Sequence, residues 1–260
     1  MSKTVLFIHD AWLTPAAWDR FAGRYTACGY TCTAPAWPLL GQPLARLQPA
    51  PSAALASLRI SDILAHYEKL IHAHSAPPLL VGHGFGGLFV QMLLDRGLGT
   101  AGIAIAPASP YGLFPGWFAL CRIAPMLLPW RNAVRLMPLT YLQFKSALAQ
   151  TLTPTEAQAA YRAHVIATPA GIFRQAALGI DNQVDFRNDY RPPLLFIAAQ
   201  QDRMMKMARV ASCYKRHRAS TAVTDFMCFP GRSHWLINET GWEEVADAGI
   251  EWSQIQSGRF

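Results

Sequence analysis

Charge is scarce in this sequence. Only 15% of its 260 residues are Asp, Glu, Lys or Arg, against 52% hydrophobic, a balance that excludes a solvated, disordered chain. Basic residues outnumber acidic ones, 23 to 16, for a formal net charge of +7. They are scattered, not gathered into a block, so no nucleic-acid footprint is expected. The cysteines, Cys28, Cys32, Cys121, Cys213 and Cys228, are odd in number and show no metal or redox spacing. Reduced thiols in a cytoplasm fit that pattern, with Cys121 read as a buried, inert thiol. No apolar run reaches the length of a membrane span. The greasiest region is broken by Arg122, Pro125, Pro129 and Arg131, so no integral membrane association is expected. Met1-Ser2-Lys3 runs straight into a strand-like segment, and no signal peptide is expected. There is no internal repeat, no low-complexity tail and no G-x-x-x-x-G-K-[ST] phosphate loop. His72 and His74 have no third or fourth ligand in sight, so neither a metal site nor a cofactor is expected.

What is present is an alternation. Thr4 to Ile8 is a near-continuous β-branched and apolar run, as a strand covered on both faces should be. Pro15 to Ala27 reads as a helix, Tyr30 to Ala34 as a strand, and Leu40 to Ala56 as a Pro- and Ala-rich loop. Ile60, Ile63, Leu64, Tyr67, Leu70 and Ile71 mark one buried helix face. A strand ending at Val81, a helix ending near Gly97 and a strand from Ala101 to Ala106 follow. Alternating strands and helices predict a mostly parallel, doubly wound α/β sheet. From about Tyr111 to Tyr190 the alternation stops. Thr153-Pro154-Thr155-Glu156 predicts a capped helix start within that stretch. The sheet resumes at Pro193 to Ala199, followed by a helix near Lys206 to Arg218, a strand at Val223 to Phe229 and a closing helix near Trp242 to Trp252. The expected organisation is a core of residues 1–110 and 191–260 with a strand-free, helical cap over 111–190.

The stretch Val81-Gly82-His83-Gly84-Phe85-Gly86-Gly87 lies between a strand and a helix. That is the setting of the nucleophile elbow, G-x-S-x-G, but position 84 is glycine. Three further segments stand in a matching order: His9-Asp10-Ala11-Trp12 after the first strand, Asp202 after the strand ending at Ala199, and Gly231-Arg232-Ser233-His234-Trp235. Taken together the chain resembles the α/β-hydrolase superfamily, and more closely its small bacterial members with a helical cap. The resemblance implies an α/β-hydrolase fold and a catalytic trio of Gly84 (at the nucleophile position), Asp202 and His234. It also implies an oxyanion hole made by the backbone N–H groups of Ala11 and Phe85. In that reading Asp202 fixes the His234 tautomer and leaves the other ring nitrogen free as a base. Asp10 departs from the family's usual glycine; it is expected to cap the following helix and point to solvent, the alternative being a carboxylate that faces the pocket, repels a tetrahedral oxyanion and counts against acyl transfer. His83 packs beside the elbow, and Ser233 is a loop hydroxyl. The aromatic and aliphatic residues of 114–144 read chiefly as packing. Trp12, Trp117, Phe118 and Trp235 are the expected pocket wall, shaped for a small hydrophobic substrate.

Without a hydroxyl at position 84 there is no acyl-enzyme; losing a serine nucleophile costs on the order of 10⁶ in rate. Three readings follow. The first is a cofactor-free enzyme, a lyase, cyclase or water-using hydrolase, acting on an ester, lactone or ketone through His234, Asp202 and the oxyanion hole. The second is a serine hydrolase whose serine was replaced, naturally or by design. The third is a non-catalytic ligand binder. The chain is expected to be a monomer or homodimer. Under the second reading, a serine restored at 84 finds its histidine, acid and N–H donors in place and regains esterase activity.

Overall fold

The computed structural model describes residues 3–41, 53–113 and 135–257. Six strands form one parallel sheet: β1 Thr4–Ile8, β2 Thr31–Thr33, β3 Leu79–His83, β4 Ala101–Ile105, β7 Leu194–Ala199 and β8 Thr224–Phe229. Their spatial order is β2-β1-β3-β4-β7-β8. The central strands are buried on both faces, which is why β1, β3, β4 and β7 read as continuous apolar runs. Helices α1 (Asp19–Ala27), α2 (Ile60–His72), α3 (Phe85–Asp95), α7 (Met207–His217) and α8 (Trp242–Ser257) belong to this core. The closing helix runs past Trp252, the end read from sequence. A short helix at Ala53–Ala56 lies where the sequence reading had only loop.

The order in which strands are added to the sheet reverses at β1. β2 lies on one side of β1, while β3 lies on the other, with Ile8 opposite Gly82. A parallel sheet opens a crevice at such a switch point, beyond the carboxyl ends of its strands. His9 and Asp10 leave β1 there, and Gly84 leaves β3 beside them. Helix α3 enters directly from Gly84 and is buried from Phe85 to Leu94, so it behaves as a core helix. Glycines permit this close approach. A Cβ on Gly86 would lie 2.0 Å from the Ile8 carbonyl oxygen, and one on Gly82 2.2 Å from that of Gly86.

The segment from 135 to 190 contains α4 (Tyr141–Ala147), α5 (Pro154–His164) and α6 (Ala170–Leu178). The Thr153 hydroxyl accepts from the Glu156 N–H, as the sequence pattern predicts. The segment is not strand-free. Leu136–Met137 (β5) pairs antiparallel with Thr168–Pro169 (β6), a correction to the sequence reading. A two-residue ladder is too short for the alternation signal to register. Trp117, Phe118, Cys121 and the other apolar residues of 114–134 lie outside the described residues.

The glycine contacts generate a stability prediction. Gly86→Ala drives a methyl group into the β1 carbonyl, and overpacking of this kind costs about 1–3 kcal/mol or more. A urea midpoint unchanged from wild type contradicts this packing.

Candidate active site

His234 lies at the centre of the crevice, 1% exposed. Its loop follows β8 and is pinned from behind by a buried carboxylate. Glu239 accepts from the Ser233 N–H at 2.8 Å and the Ser233 hydroxyl at 2.7 Å, and it also accepts from the Thr151 hydroxyl. The Trp235 N–H donates to the Leu148 carbonyl. Ser233 is therefore a loop hydroxyl, as expected, but its partner Glu239 was not singled out from sequence. Only the i+6 pairing of a hydroxyl with a carboxylate hints at it, and many solvated pairs share that spacing.

Two carboxylates flank the His234 ring. Nδ1–H donates to Asp202 Oδ2 at 2.6 Å, and Nε2–H to Asp10 Oδ2 at 3.2 Å. The carboxylates are held alike. Asp202 Oδ1 accepts the backbone N–H groups of Met204 and Met205, both at 2.7 Å. Asp10 Oδ1 accepts those of Ala11 at 2.8 Å and Phe85 at 2.6 Å. They differ in access. The Asp202 side chain is fully buried, at 0%, whereas that of Asp10 is 6% exposed. Both residues are buried, and only the Asp10 side chain keeps a trace of access.

This geometry corrects three expectations. Asp10 points inward, not to solvent. It does cap a helix, but α3, whose first N–H belongs to Phe85, and not the helix that follows Asp10 in sequence. The positive end of α3 and its free N–H groups favour a carboxylate there. Second, the N–H groups of Ala11 and Phe85 are not open to a substrate oxygen, because both donate to Asp10. Third, the second nitrogen of His234 is not free, because it is bonded to Asp10.

Gly84 makes room for this carboxylate. A Cβ at position 84 would lie 2.1 Å from Asp10 Cγ and Oδ1 and 2.3 Å from Oδ2. The Asp10 carboxylate thus fills the space in front of the elbow. Gly84 sits at φ 55° and ψ −116°, a region that costs any other residue of order 1–3 kcal/mol. Its N–H donates to the Ile105 carbonyl, and its own carbonyl accepts from Ala108.

Electrostatics follow the same arrangement. Burial by itself opposes charge on His234, but Asp202 and Asp10 override it and raise its pKa to about 10. At neutral pH the ring is an imidazolium between two carboxylates. Burial would raise the carboxyl of Asp10, but the His234 hydrogen bond and the Phe85 N–H help hold its pKa below the usual value. His9 and His83 are buried neutral, each lowered by burial to about 4. His9 donates from Nδ1 to the Asp10 carbonyl, accepts the Trp37 N–H at Nε2 and stacks on Trp37. His83 packs against the His234 ring and donates from Nε2 to the His234 carbonyl, in line with its expected place beside the elbow.

Asp10, His83 and His234 also bring ligand atoms within 4.8 Å of one another. Both N–H groups of His234 are committed to carboxylates, and the gap to Asp10 is already a hydrogen bond.

Trp12 stacks on Phe173, with ring centroids 4.6 Å apart, and Phe173 meets Phe85 edge-on at 5.1 Å. These rings form an apolar wall next to Asp10. Phe173, on α6, was not anticipated from sequence. Trp12 has φ 63° and is tied to the segment 135–190: its N–H donates to the Thr168 hydroxyl and its indole N–H to the Met137 carbonyl. Trp235 is buried between Phe144 and His164, so its ring joins the His234 loop to the segment 135–190. Among the described residues, two further grooves lie elsewhere, one along Lys3, Tyr30 and Arg191, the other along Arg20, His164 and Trp242.

A family model described as the alpha/beta hydrolase family matches residues 5–248. The chain belongs to the alpha/beta hydrolase family. No curated protein sequence matches it. Among solved structures it is similar to an extracellular alpha/beta-hydrolase from a Paenibacillus species, with 17% identity over 95% of this chain and 98% of that one and a TM-score of 0.72. It is also similar to the monoacylglycerol lipase of Paleococcus ferrophilus, with 14% identity, 96% and 93% coverage and a TM-score of 0.71. A third is tomato methylketone synthase I, solved with beta-ketoheptanoate, with 13% identity, 98% coverage of both chains and a TM-score of 0.68. At these identities the likeness is one of fold.

The buried histidines predict a stability optimum. His234, raised to about 10, contributes stability that is complete below about pH 6.5 and lost as pH rises through 10. His9 and His83, lowered to about 4, act in the opposite direction: folding weakens as pH falls from 6.5 toward 4, because the unfolded chain takes up protons there. Denaturant midpoints across pH are expected to peak near 6.5 and fall on both sides. A curve that keeps rising toward pH 10 contradicts the charged His234.

Proposed function

We propose that this protein is an α/β-hydrolase-fold enzyme that works on a small hydrophobic substrate without a serine nucleophile. Asp10 and His234 carry its acid and base chemistry, and Asp202 positions the ring. One observation carries this reading: a carboxylate, desolvated and paired with an imidazolium, fills the space in front of Gly84. A buried ion pair of this kind costs desolvation free energy and gives little net stability. Clustered, strongly shifted groups at a sheet's switch point mark functional sites more often than structural ones. The apolar faces of Trp12, Phe85 and Phe173 support a hydrophobic substrate. The names of the structural relatives, a lipase and a methylketone synthase among them, are in keeping with that size and polarity.

The mechanism differs from the one expected from sequence. Attack on an ester, lactone or ketone requires two open N–H donors for the developing oxyanion. Here both donate to Asp10 Oδ1. A carbonyl oxygen enters only by displacing Asp10, so Asp10 is the group that meets the substrate. His234 begins each turnover as an acid. It becomes a base only once its proton has moved, and water is then the natural proton donor.

The reading of a hydrolase that merely lost its serine also changes. A serine at 84 collides with the Asp10 carboxylate, so that history requires two coordinated changes. This gives a direct test using p-nitrophenyl butyrate. Gly84→Ser alone is expected to leave esterase activity at the level of the glycine form. Gly84→Ser combined with Asp10→Gly frees the N–H groups and the histidine, and is expected to gain ~10³-fold or more, because the covalent serine route opens. A single Gly84→Ser variant that is a vigorous esterase identifies a disabled serine enzyme and refutes the role given to Asp10. A glycine form that converts no substrate, with ligand binding indifferent to both Asp10→Asn and His234→Gln, leaves only the binding-protein reading.

A further inference from the structure

His83 has no part in the chemistry proposed above, yet it lies against both groups that do. Asp10, His83 and His234 are all buried, at 5%, 0% and 1% exposure, and each brings a ligand atom within 4.8 Å of the other two. The His83 Nε2–H donates to the His234 carbonyl at 2.9 Å, so the lone pair of the ring lies on Nδ1. That nitrogen is buried and has no hydrogen-bond partner among the described residues. A buried polar atom left without a partner is costly, and such an atom in a folded chain calls for a cause. His234 commits its Nδ1–H to Asp202, which leaves Nε2 facing Asp10. Asp10 commits Oδ1 to the N–H groups of Ala11 and Phe85, which leaves Oδ2 facing His234.

We propose that Asp10 Oδ2, His83 Nδ1 and His234 Nε2 form a binding site for a divalent transition-metal ion of the zinc type. Zinc bonds of about 2.0–2.1 Å set neighbouring ligand atoms about 3.3 Å apart in a tetrahedral site. Asp10 Oδ2 already stands 3.2 Å from His234 Nε2. The outer contacts are those that orient metal ligands. A metal-binding histidine donates its other ring N–H to a carboxylate or a backbone carbonyl. His234 does the first, to Asp202, and His83 the second, to the His234 carbonyl. The ligating carboxylate is in turn held by two backbone N–H groups. Charge points the same way. Asp10 and Asp202 each accept two backbone N–H groups through Oδ1, so two carboxylates surround one imidazole. One proton on that ring leaves one negative charge unmatched, whereas a dication at Nε2 matches both. The ion takes the place of the proton between Nε2 and Oδ2, so the hydrogen-bonded pair is the metal-free form of the same gap. Two imidazoles select against Mg²⁺ and Ca²⁺, which prefer oxygen ligands.

This inference goes beyond the acid–base reading and stands on ligand geometry, not on turnover. It gives the unpartnered Nδ1 of His83 a partner. It also bears on position 84 in two ways. Glycine leaves room for the Asp10 carboxylate, which any Cβ there would overlap. Three protein ligands leave a zinc ion one position for water, and water so bound ionises near neutral pH. A hydroxide made there supplies the nucleophile that position 84 lacks. No sequence pattern announces this set, because positions 10, 83 and 234 follow no ligand spacing; the sequence reading weighed His72 and His74 instead.

The test strips the full chain with a chelator and titrates it with Zn²⁺ and with Co²⁺. Elemental analysis after gel filtration is expected to find one ion per chain. Bound Co²⁺ is expected to show visible d–d bands without the thiolate charge-transfer band that Cys28 or Cys32 would add. Mg²⁺ and Ca²⁺ should not displace it. His83→Gln keeps an N–H for the His234 carbonyl but removes the ring nitrogen. That variant, Asp10→Asn and His234→Gln should each weaken Zn²⁺ binding by more than ~10²-fold, while Asp202→Asn, which removes only an outer contact, should cost about 10–100-fold. Circular dichroism checks the fold of each. His72→Ala combined with His74→Ala should bind as wild type does. Binding lost in that pair and kept in the Asp10, His83 and His234 variants is adventitious and overturns the proposal. Binding that needs Asp10 and His234 but not His83 overturns the three-ligand site. A stripped chain that takes up neither ion overturns it as well; turnover that still depends on Asp10 and His234 then leaves the acid–base reading in place. Zinc bound through all three residues, with turnover indifferent to Asp10→Asn and His234→Gln, upholds the site and sinks the acid–base reading.

Discussion

One imidazolium held between two carboxylates is the constraint on which the site depends. Neither carboxylate is an isolated buried charge. Each has one oxygen on a pair of backbone N–H groups and the other on the ring of His234. That arrangement supplies enough hydrogen bonds to offset much of the desolvation cost of three charged groups. The two sides differ in the length of the bond to the ring, 2.6 Å for Asp202 and 3.2 Å for Asp10.

The sheet makes the arrangement possible. Asp10, the elbow, Asp202 and His234 come from the ends of four strands, and parallel strands direct all four ends to one edge. The adjacency of β1 and β3 puts Asp10 against Gly84 and against the first N–H of α3. Gly82 and Gly86 let that helix seat close enough for its N–H to reach the carboxylate. Residues from the segment 135–190 hold the Asp10 loop from the other side. Thr168 and Met137 hold Trp12 in a left-handed conformation, and Ile166 donates to the Trp12 carbonyl. The loop carrying Asp10 is therefore fixed from both sides.

Much of the fold was legible in the residues. Apolar runs such as Thr4 to Ile8 and Leu194 to Ala199 are short, β-branched or aromatic and bounded by turn residues, which fits strands covered on both faces, and the spacing of Ile60 to Ile71 fits a helix buried on one side. The Thr153-to-Glu156 cap was readable because its hydrogen bonds are local. The order of Gly84, Asp202 and His234 pointed to the crevice because the alternation of strands and helices brings those chain positions to one edge. The two-residue β5–β6 pair was not legible, and neither was Phe173: each gains its meaning from a partner far away in the chain.

Asp10 marks the boundary between the two kinds of information. The sequence by itself determined the parallel α/β sheet, the missing hydroxyl at position 84 and the presence of a histidine and an acid at the catalytic edge. It also held an aspartate at position 10 and a glycine at position 84, with 74 positions from one to the other. That they are one feature was decided only by the tertiary structure. A short polar side chain next to a turn is satisfied equally well by solvent or by a local helix cap, and sequence holds no preference between them. The pairing of β1 with β3 removes the choice, because it sets the Asp10 carboxylate within 2.6 Å of the Phe85 amide and leaves it the volume that a side chain at Gly84 would have filled.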